Sequence, residues 1–225
     1  MFFRNILLSI TDLFLRNDPC RKPRINRYIR NHSTVKLQLG CSRHFLPDWL
    51  NTDISLRGCL AGSVYMDASK RFLLPDNSVD YIYTEHMIEH LNYNQVHSML
   101  SECFRVMKKG GVLRIATPNY MFLDDLYKHP GKEINRKYIE WAAEKGNIPA
   151  MPILVINRFH TSWGHQIIYD YNSLAALLKE SGFTNVCECK MSISEHEPLN
   201  NVERHFQTMP YDLCCLETMI LEAKK

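Results

Sequence analysis

Short apolar runs, each ending near a glycine, an acid or a proline, recur along the first half of this chain. Their alternation and their β-branched and aromatic residues are typical of strands. A helical spacing of apolar residues fills the interval between the last two runs. Strands that alternate with helices predict an open, mostly parallel sheet whose ligands bind beyond the carboxyl ends of the strands. The runs are VKLQLG (35–40), WLNTDIS (49–55), SVYMDAS (63–69), VDYIYTEH (79–86) and GGVLRIATPN (110–119).

Residues 120–170 interrupt this alternation. The segment has no clear strand and is rich in Tyr, Trp, His, Asn and Pro. Long insertions in compact domains are usually functional, so we interpret this segment as a cover over the binding site. A helix over residues 171–182 follows, with Gly182 as its stop. FTNVCECKMS and YDLCCLETMILEAKK then predict two closing strands.

The composition is that of one globular domain. With 225 residues, of which 45% are hydrophobic and 23% charged, the chain is long enough to bury a full core. A net charge of +3 is too mild for a nucleic-acid surface, and we expect no nucleic-acid partner. The eight cysteines include no C-x-x-C pair, which predicts free buried thiols in a reducing, cytoplasmic compartment.

The domain is predicted to span residues 35–225 and to be preceded by a separate segment at 1–34. MFFRNILLSITDLFLRN, at the start, has the apolar spacing of an amphipathic helix and is too short to span a bilayer. We expect it to dock on its own domain, with a weak membrane-surface contact as the alternative. The basic stretch RKPRINRYIR at 21–30 predicts a solvated linker.

A glycine turn and two acids stand at the ends of predicted strands. Gly40-Cys41-Ser42 follows the first strand, where main-chain N–H groups can approach a ligand closely. Asp53 ends the second strand and can accept both hydroxyls of a ribose, while Asp67 ends the third and can meet an adenine amino group. The G-x-G-x-x-G fingerprint is absent, which argues against a nicotinamide oxidoreductase.

The stretch TEHMIEHL at 84–91 admits two interpretations. His86, Glu89 and His90 have the H-x-x-E-H spacing with which a helix offers two imidazoles to zinc, and Glu102 is available as a third ligand. The same stretch directly follows the strand-like VDYIY, which places it at the mouth of a sheet. Nothing else in the chain indicates a zinc hydrolase, so we expect no metal and interpret His90 as a hydrogen-bonded helix residue.

Taken together, these pieces resemble a known family. KLQLGCSRHFLPDWLNTDIS, VYMDASKRFLLPDNSVDYIYTEHMIEHL and VMKKGGVLRIATPN are similar, in the same order, to S-adenosylmethionine-dependent methyltransferases of the Rossmann-like type. The specific resemblance is to a small branch, methyltransferase type 11-like, that is associated with bacterial surface-sugar pathways. It implies a mostly parallel seven-stranded sheet with an antiparallel final strand and helices on both faces, and S-adenosyl-L-methionine as the cofactor.

The resemblance, which covers roughly residues 35–119, also implies a set of site residues. The glycine turn contacts the methionine end of the cofactor. Asp53 at the end of the second strand contacts the ribose, and Asp67 at the end of the third strand contacts the adenine. The residues at the end of the fourth strand separate the cofactor from the acceptor. The loop departs from the family where Ser42 replaces its usual second glycine, and so few residues follow it that the first helix must be a single turn or missing. The implied cofactor-binding residues are Gly40, Cys41, Ser42, Asp53, Ile54, Asp67, Ala68, Thr84, Glu85 and His86.

Histidine is the first candidate for a catalytic base, because a hydroxyl acceptor gains from a base whose pKa is near neutral. Of the ten histidines, His165 in the predicted cover is preferred and His86 is second, with His160 also in a suitable place. The predicted reaction is O-methylation of a sugar, a glycan or a related small polar acceptor. The alternative is a catalytically degenerate methyltransferase-fold binding protein. Aromatic faces for a sugar ring are offered by Trp163, Tyr169 and Tyr120.

Overall fold

Seven strands form one sheet in the computed structural model, which describes Leu15 and residues 17–225. The strand order is β3-β2-β1-β4-β5-β7-β6, in which β7 is antiparallel to both of its neighbours and every other pair is parallel. This confirms the predicted sheet. The strands are β1 (Lys36–Leu39), β2 (Leu50–Asp53), β3 (Val64–Tyr65), β4 (Val79–Glu85), β5 (Met107–Pro118), β6 (Thr184–Cys189) and β7 (Thr218–Lys224).

Eight α-helices and three short 3₁₀ turns connect these strands in the described part of the chain. The central strands are buried on both faces, as expected for parallel strands that helices cover. The 3₁₀ turns are Ile88–His90, Glu197–Leu199 and His205–Gln207. The helices are α1 (Arg21–Asn31), α2 (Leu56–Ala61), α3 (Tyr93–Val106), α4 (Tyr120–Lys128), α5 (Glu133–Gly146), α6 (Pro152–Thr161), α7 (Tyr171–Glu180) and α8 (Tyr211–Glu217).

The connection from β1 to β2 contains no helix, which agrees with the short spacing in the sequence. Helix α3 is the crossover predicted between β4 and β5. It begins at a capping box in which Asn92 and Gln95 satisfy each other's main-chain N–H groups. Its buried face packs on the sheet because apolar residues recur at helical spacing. These buried residues are Val96, Met99, Leu100, Cys103 and Val106.

The predicted cover is built from three helices. Helices α4, α5 and α6 pack against each other and form a second hydrophobic core with α8 and the facing side of β7. Phe122 and Tyr138 are in edge contact at the centre of this core, and Leu213 and Ile220 carry it onto α8 and β7. Residues 120–170 contain no regular strand, as predicted. Their three helices add a layer over one face of the sheet.

Two predicted elements are wrong. RKPRINRYIR is not a linker but helix α1, which buries Ile25 completely and donates from Arg24 Nη2 to the carbonyl of Gly62 at 2.7 Å. The stretch YDLCCLE is helix α8 rather than strand, because its buried residues Leu213, Cys214 and Glu217 follow helical spacing. The predicted helix of residues 1–17 lies almost wholly outside the described residues.

The cysteines are free, as predicted, although Cys20, Cys187 and Cys215 are exposed rather than buried. No helix among the described residues is long and apolar enough to cross a membrane.

Three buried charged residues form an ionic triad: Arg114 on β5, Glu222 on β7 and Glu203 in the segment before α8. Arg114 donates from Nε to Glu203 and from Nη1 to Glu222, each at 2.6 Å, and it also donates to the carbonyls of Lys190 and Ile193. Arg114 and Glu203 have no exposed surface. Buried charges are stable only when they are paired and hydrogen-bonded. The triad therefore fixes the segment before α8 against β5 and β7.

We expect Arg114→Ala to lower the free energy of unfolding by about 3–5 kcal/mol, because it leaves two buried carboxylates without a cation. Urea denaturation followed by circular dichroism measures this change. Arg136→Ala is the matched control, since Arg136 forms only an exposed pair with Glu140 and its loss should cost less than about 1 kcal/mol. Equal effects of the two substitutions would contradict the role of the triad.

Candidate active site

The glycine turn and the first acid meet at the carboxyl edge of the sheet. Asp53 accepts hydrogen bonds from the main-chain N–H of Ser42 to Oδ2 and of Ser55 to Oδ1, both at 2.6 Å. A carboxylate accepts about four hydrogen bonds in total, so Asp53 has capacity left for ribose hydroxyls. The N–H of Ser42 is used by Asp53 itself, which leaves less of the turn for a ligand than the sequence predicted.

Gly40 is required by both backbone geometry and packing. Its φ is +70°, and a Cβ at this position would lie 2.5 Å from Cγ of Met87, which packs directly over the turn. Ser42, in place of the family's second glycine, also has a positive φ of 47°. Cys41 is buried, and burial together with the charge of Asp53 raises the pKa of its thiol to about 12. The turn is thus rigid and carries no charge of its own.

The residues predicted for the adenine side lie at the neighbouring strand ends. Asp67 accepts at Oδ1 from both the N–H and the hydroxyl of Ser69, which closes the turn after β3. Ala68 is partly buried against the main core, and the side chain of Ile54 is 53% exposed. Their contacts with a cofactor stay predictions.

Glu85 has a structural partner that the sequence did not indicate. Its carboxylate accepts from the main-chain N–H of Arg204 and of His205, at 2.9–3.0 Å. The side chain therefore anchors the loop before α8, and its contact with a cofactor stays a prediction. The adjacent Thr84 is fully buried, and its hydroxyl has no hydrogen-bond partner among residues 17–225.

His86 ends β4 in a left-handed conformation, with φ of 45°. Its ring stacks on that of His205 at 3.8 Å, Nε2 lies 3.2 Å from the hydroxyl of Thr218, and Nδ1 lies 3.4 Å from Oε1 of Glu89. Burial lowers the pKa of His86, but the nearby carboxylate of Glu89 outweighs it and the pKa is raised. Burial likewise raises the pKa of Glu89, and His86 more than offsets this, so that pKa is lowered.

The zinc-helix interpretation of H-x-x-E-H is wrong in its geometry. His86 belongs to the end of a strand, and only residues 88–90 turn, as a single 3₁₀ turn. Glu102 pairs with Arg105 at 2.5 Å instead of facing the histidines. His90 is also not the hydrogen-bonded helix residue that was predicted. It is exposed, and its ring makes no hydrogen bond within the part of the chain that the structure describes.

His165 reaches the same place from the end of the cover. Trp163 and Gly164 both have positive φ, at 58° and 85°, and this turn directs the next residue back toward β4. Nδ1 of His165 lies 2.7 Å from the carbonyl oxygen of Phe159. Because a carbonyl only accepts, Nδ1 carries the proton and Nε2 has the free lone pair. Burial lowers the pKa of His165. His160, in contrast, is exposed on α6 and does not join the group.

These side chains line a cavity of about 500 Å³ between the cover and the sheet edge. Its floor contains four histidines and two buried acids, and its walls include the rings of four Tyr, Trp and Phe residues. Of the aromatic residues predicted to face a sugar, only Trp163 lines the cavity, while Tyr169 is buried in the main core and Tyr120 stands at the exposed start of α4. The ionisable residues of the floor are His86, His90, His165, His205, Glu89 and Glu217.

Sequence reasoning missed His205, Glu217, Tyr138 and Trp141 as lining residues. The first two come from the closing segment, and they reach the cavity only because Glu85 holds the loop that precedes α8. No local pattern reports such a long-range contact. Tyr138 and Trp141 stand three residues apart on one helix face, a spacing that indicates packing rather than a ligand wall.

The sheet order, the antiparallel β7 and the glycine turn beside Asp53 define a Rossmann-like methyltransferase fold. Solved structures agree. A SAM-dependent methyltransferase from Archaeoglobus fulgidus is 19% identical, with a TM-score of 0.52 over 91% of this chain and 92% of that one. An S-adenosylmethionine-dependent methyltransferase from Mesorhizobium loti is 15% identical, with a TM-score of 0.52 over 88% and 96%.

Sequence comparisons point the same way over shorter stretches. A methyltransferase domain profile matches residues 50–115. A relative in Mycolicibacterium smegmatis, named a probable S-adenosylmethionine-dependent methyltransferase, is 50% identical over 46 residues, which are 20% of this chain and 17% of the relative. The chain thus matches only about a sixth of that relative's length. Residues 50–115 thus resemble a methyltransferase domain, and the described chain has the fold of the methyltransferases above.

We expect Glu85→Gln to lower the free energy of unfolding by about 1–3 kcal/mol, because the two main-chain N–H groups lose a charged acceptor and one carboxylate oxygen becomes an NH₂ donor. Chemical denaturation measures the change. Glu195→Gln, which removes the same charge from an exposed loop position, should leave stability unchanged. If Glu85→Gln is as stable as the parent protein, the anchoring role assigned to this carboxylate is wrong.

Proposed function

We propose that this protein is an S-adenosylmethionine-dependent O-methyltransferase that acts on a sugar, a glycan or a related small polar acceptor. The supporting observation is a shared wall at the end of β4. Met87 packs over the glycine turn of the nucleoside site, while the preceding residue, His86, lines the cavity under the cover. Two sites that are lined by adjacent residues suit a methyl donor and an acceptor, whose reacting atoms must be aligned for in-line transfer.

The residues at the strand ends fit the proposed cofactor. Asp53 has acceptor capacity for the ribose hydroxyls, and Gly40 allows the main chain to come close to a bound group. S-adenosyl-L-methionine supplies a methyl group on a positively charged sulfur. The protein's part is to bind both molecules, to exclude water and to hold the acceptor oxygen in position.

The cavity fits a small polar acceptor. Its volume of about 500 Å³ is within the range of about 300–1,000 Å³ that is usual for small-molecule sites. Tyr138, Trp141 and Trp163 offer faces on which a sugar ring can pack, and the histidines of the floor offer partners for hydroxyls. Lys145 and Arg158 add positive charge to the wall. The link to surface-polysaccharide biosynthesis rests on the family resemblance.

His86 and His165 are the candidates for accepting the proton of the hydroxyl. Both line the cavity, and they come from opposite sides of it, the end of β4 and the end of the cover. The free cysteines suit a reducing compartment, and we place the activity in the cytoplasm.

We expect Asp53→Asn to weaken the binding of S-adenosylhomocysteine by at least tenfold, because hydrogen bonds to a charged acceptor contribute about 1.5–3 kcal/mol. Isothermal titration calorimetry measures the affinity, and a thermal melt of each protein separates a folding defect from a binding defect. Asp48→Asn is the matched control, since Asp48 precedes β2 at the opposite edge of the sheet and asparagine tolerates its positive φ.

The same titration separates the competing functions. A wild-type protein that binds neither S-adenosylhomocysteine nor NADH would support the degenerate binding protein. Binding of NADH alone would support an oxidoreductase. Binding of S-adenosylhomocysteine that is equally strong in Asp53→Asn would contradict the site assigned here.

We expect His86→Gln and His165→Gln each to slow methyl transfer by about 10²-fold or more, and His165→Gln to leave the affinity for S-adenosylhomocysteine nearly unchanged. The assay transfers a labelled methyl group to acceptors in a cell extract. His160→Gln, an exposed neighbour on α6, should transfer at the parent rate. Parent rates in both cavity variants would show that neither histidine takes part.

A further inference from the structure

Three side chains converge on the floor of the cavity next to β4. Glu89, His90 and His165 each offer one ligand atom, and these atoms lie within 4.8 Å of one another. Glu89 and His90 come from the 3₁₀ turn after β4, whereas His165 comes from the end of the cover. A main-chain hydrogen bond joins the 3₁₀ turn to the end of the cover, because the N–H of Gln166 donates to the carbonyl of Glu89 at 2.7 Å.

Glu89 is a buried carboxylate with an unsatisfied oxygen. The residue has no exposed surface, and Oε1 forms no hydrogen bond within the described chain, with Nδ1 of His86 its close neighbour at 3.4 Å. The other oxygen accepts only from the hydroxyl of Thr117, at 3.2 Å. Leaving a buried charged acceptor unsatisfied costs free energy, so such a group requires a partner.

His165 is oriented as a metal ligand is usually oriented. A ligating imidazole almost always donates its second ring N–H to a carbonyl or carboxylate, which fixes the ring and leaves the other nitrogen for the metal. The hydrogen bond from Nδ1 to the carbonyl of Phe159 does this. His90 stands with its ring edge-on to His165, at 4.9 Å between centroids, and its exposure allows it to turn.

A neighbouring group is less suitable for an ion. His86, His205 and Glu217 also converge, but Glu217 already accepts from the hydroxyl of Tyr138 with one oxygen and contacts Nε2 of His205 with the other. The carboxylate of that group is satisfied by hydrogen bonds, whereas Oε1 of Glu89 forms none among the described residues and has only the 3.4 Å contact with His86.

We propose that Glu89, His90 and His165 bind one divalent transition-metal cation, which in turn binds two neighbouring hydroxyls of the acceptor. Two imidazoles and one carboxylate suit Mn²⁺, Fe²⁺, Co²⁺ or Zn²⁺, and three protein ligands leave coordination positions for substrate oxygens. Ligand distances of about 2.0–2.2 Å place the three ligand atoms about 3–3.5 Å from each other, so binding draws the side chains together from separations of up to 4.8 Å.

This inference rests on the proposed O-methyltransferase and specifies its acceptor as a molecule with hydroxyls on adjacent carbons, such as a sugar ring. A cation holds both oxygens and lowers the pKa of a bound hydroxyl. It also divides the roles of the histidines. His165 becomes a ligand, which leaves His86 as the histidine nearest to the bound oxygen that can receive its proton.

Titration of the full chain with Co²⁺ after dialysis against a chelator tests the cation site. The absorption bands of Co²⁺ report nitrogen ligation, and calorimetry gives the stoichiometry. We expect one Co²⁺ per chain, and a loss of affinity of tenfold or more in His90→Ala, whose exposed side chain can be removed without harm to the fold. His160→Ala is the matched exposed control and should bind Co²⁺ like the parent. Absence of Co²⁺ binding, or equal affinity in His90→Ala and the parent, would overturn the site.

Two further measurements keep this inference separate from the proposed function. Calorimetry of the metal-free protein with S-adenosylhomocysteine tests the methyltransferase alone. If that ligand binds and Co²⁺ does not, only the cation site fails. If Co²⁺ binds at His90 and S-adenosylhomocysteine does not, the cation site stands while the methyltransferase and its acceptor fail.

Periodate cleaves carbon–carbon bonds between adjacent hydroxyls, and it therefore tests the acceptor class. Treating the cell extract with periodate and quenching it before the assay should abolish transfer of the labelled methyl group. Undiminished labelling would overturn the assignment of a diol acceptor.

Discussion

The pairing of β4 between β1 and β5 is the constraint on which the site depends. Both neighbours are parallel to β4, and their ladders run as far as Thr84 on one side and Glu85 on the other. The strand then stops abruptly, with His86 in a left-handed conformation and its N–H bonded to the carbonyl of Ala116. Because the ladder fixes the direction in which the chain leaves β4, the side chains of His86 and Met87 point to different places. His86 lines the cavity, and Met87 packs on the glycine turn. The boundary between the proposed donor and acceptor sites is thus set by main-chain hydrogen bonds.

Buried carboxylates around this strand end are compensated in different ways. Glu85 is satisfied by main-chain N–H groups, Glu217 by a phenol and an imidazole, and Glu203 by the guanidinium of Arg114. Each of these three groups ties a distant segment to the sheet. Glu89 differs because one of its oxygens has no hydrogen bond within the described residues. This exception is the observation on which the proposed cation site rests.

Much of the fold was accessible from the sequence, because strand and helix periods are local. The Gly40 turn and Asp53 were found by their positions after predicted strands, and the structure brings them into contact. The histidines of TEHMIEHL stand out by their spacing, and the preceding run VDYIY predicts that His86 follows the end of a strand, as it does. The approach of His165 could not be read from its neighbours, because it depends on how three cover helices pack. The same holds for Glu217, which resembled a strand residue until α8 was seen to end there.

Helix α1 has a consequence for how this protein behaves at high concentration. β3 is the outermost strand on its side of the sheet, and an uncovered edge can pair with another molecule's backbone. The guanidinium of Arg21 donates to the carbonyl of Tyr65, and that of Arg24 to the carbonyl of Gly62. These contacts occupy acceptors that a foreign strand would use, and they surround the edge with positive charge. The basic residues of α1 therefore disfavour the pairing of β3 with a strand of another molecule, an effect that does not depend on any ligand.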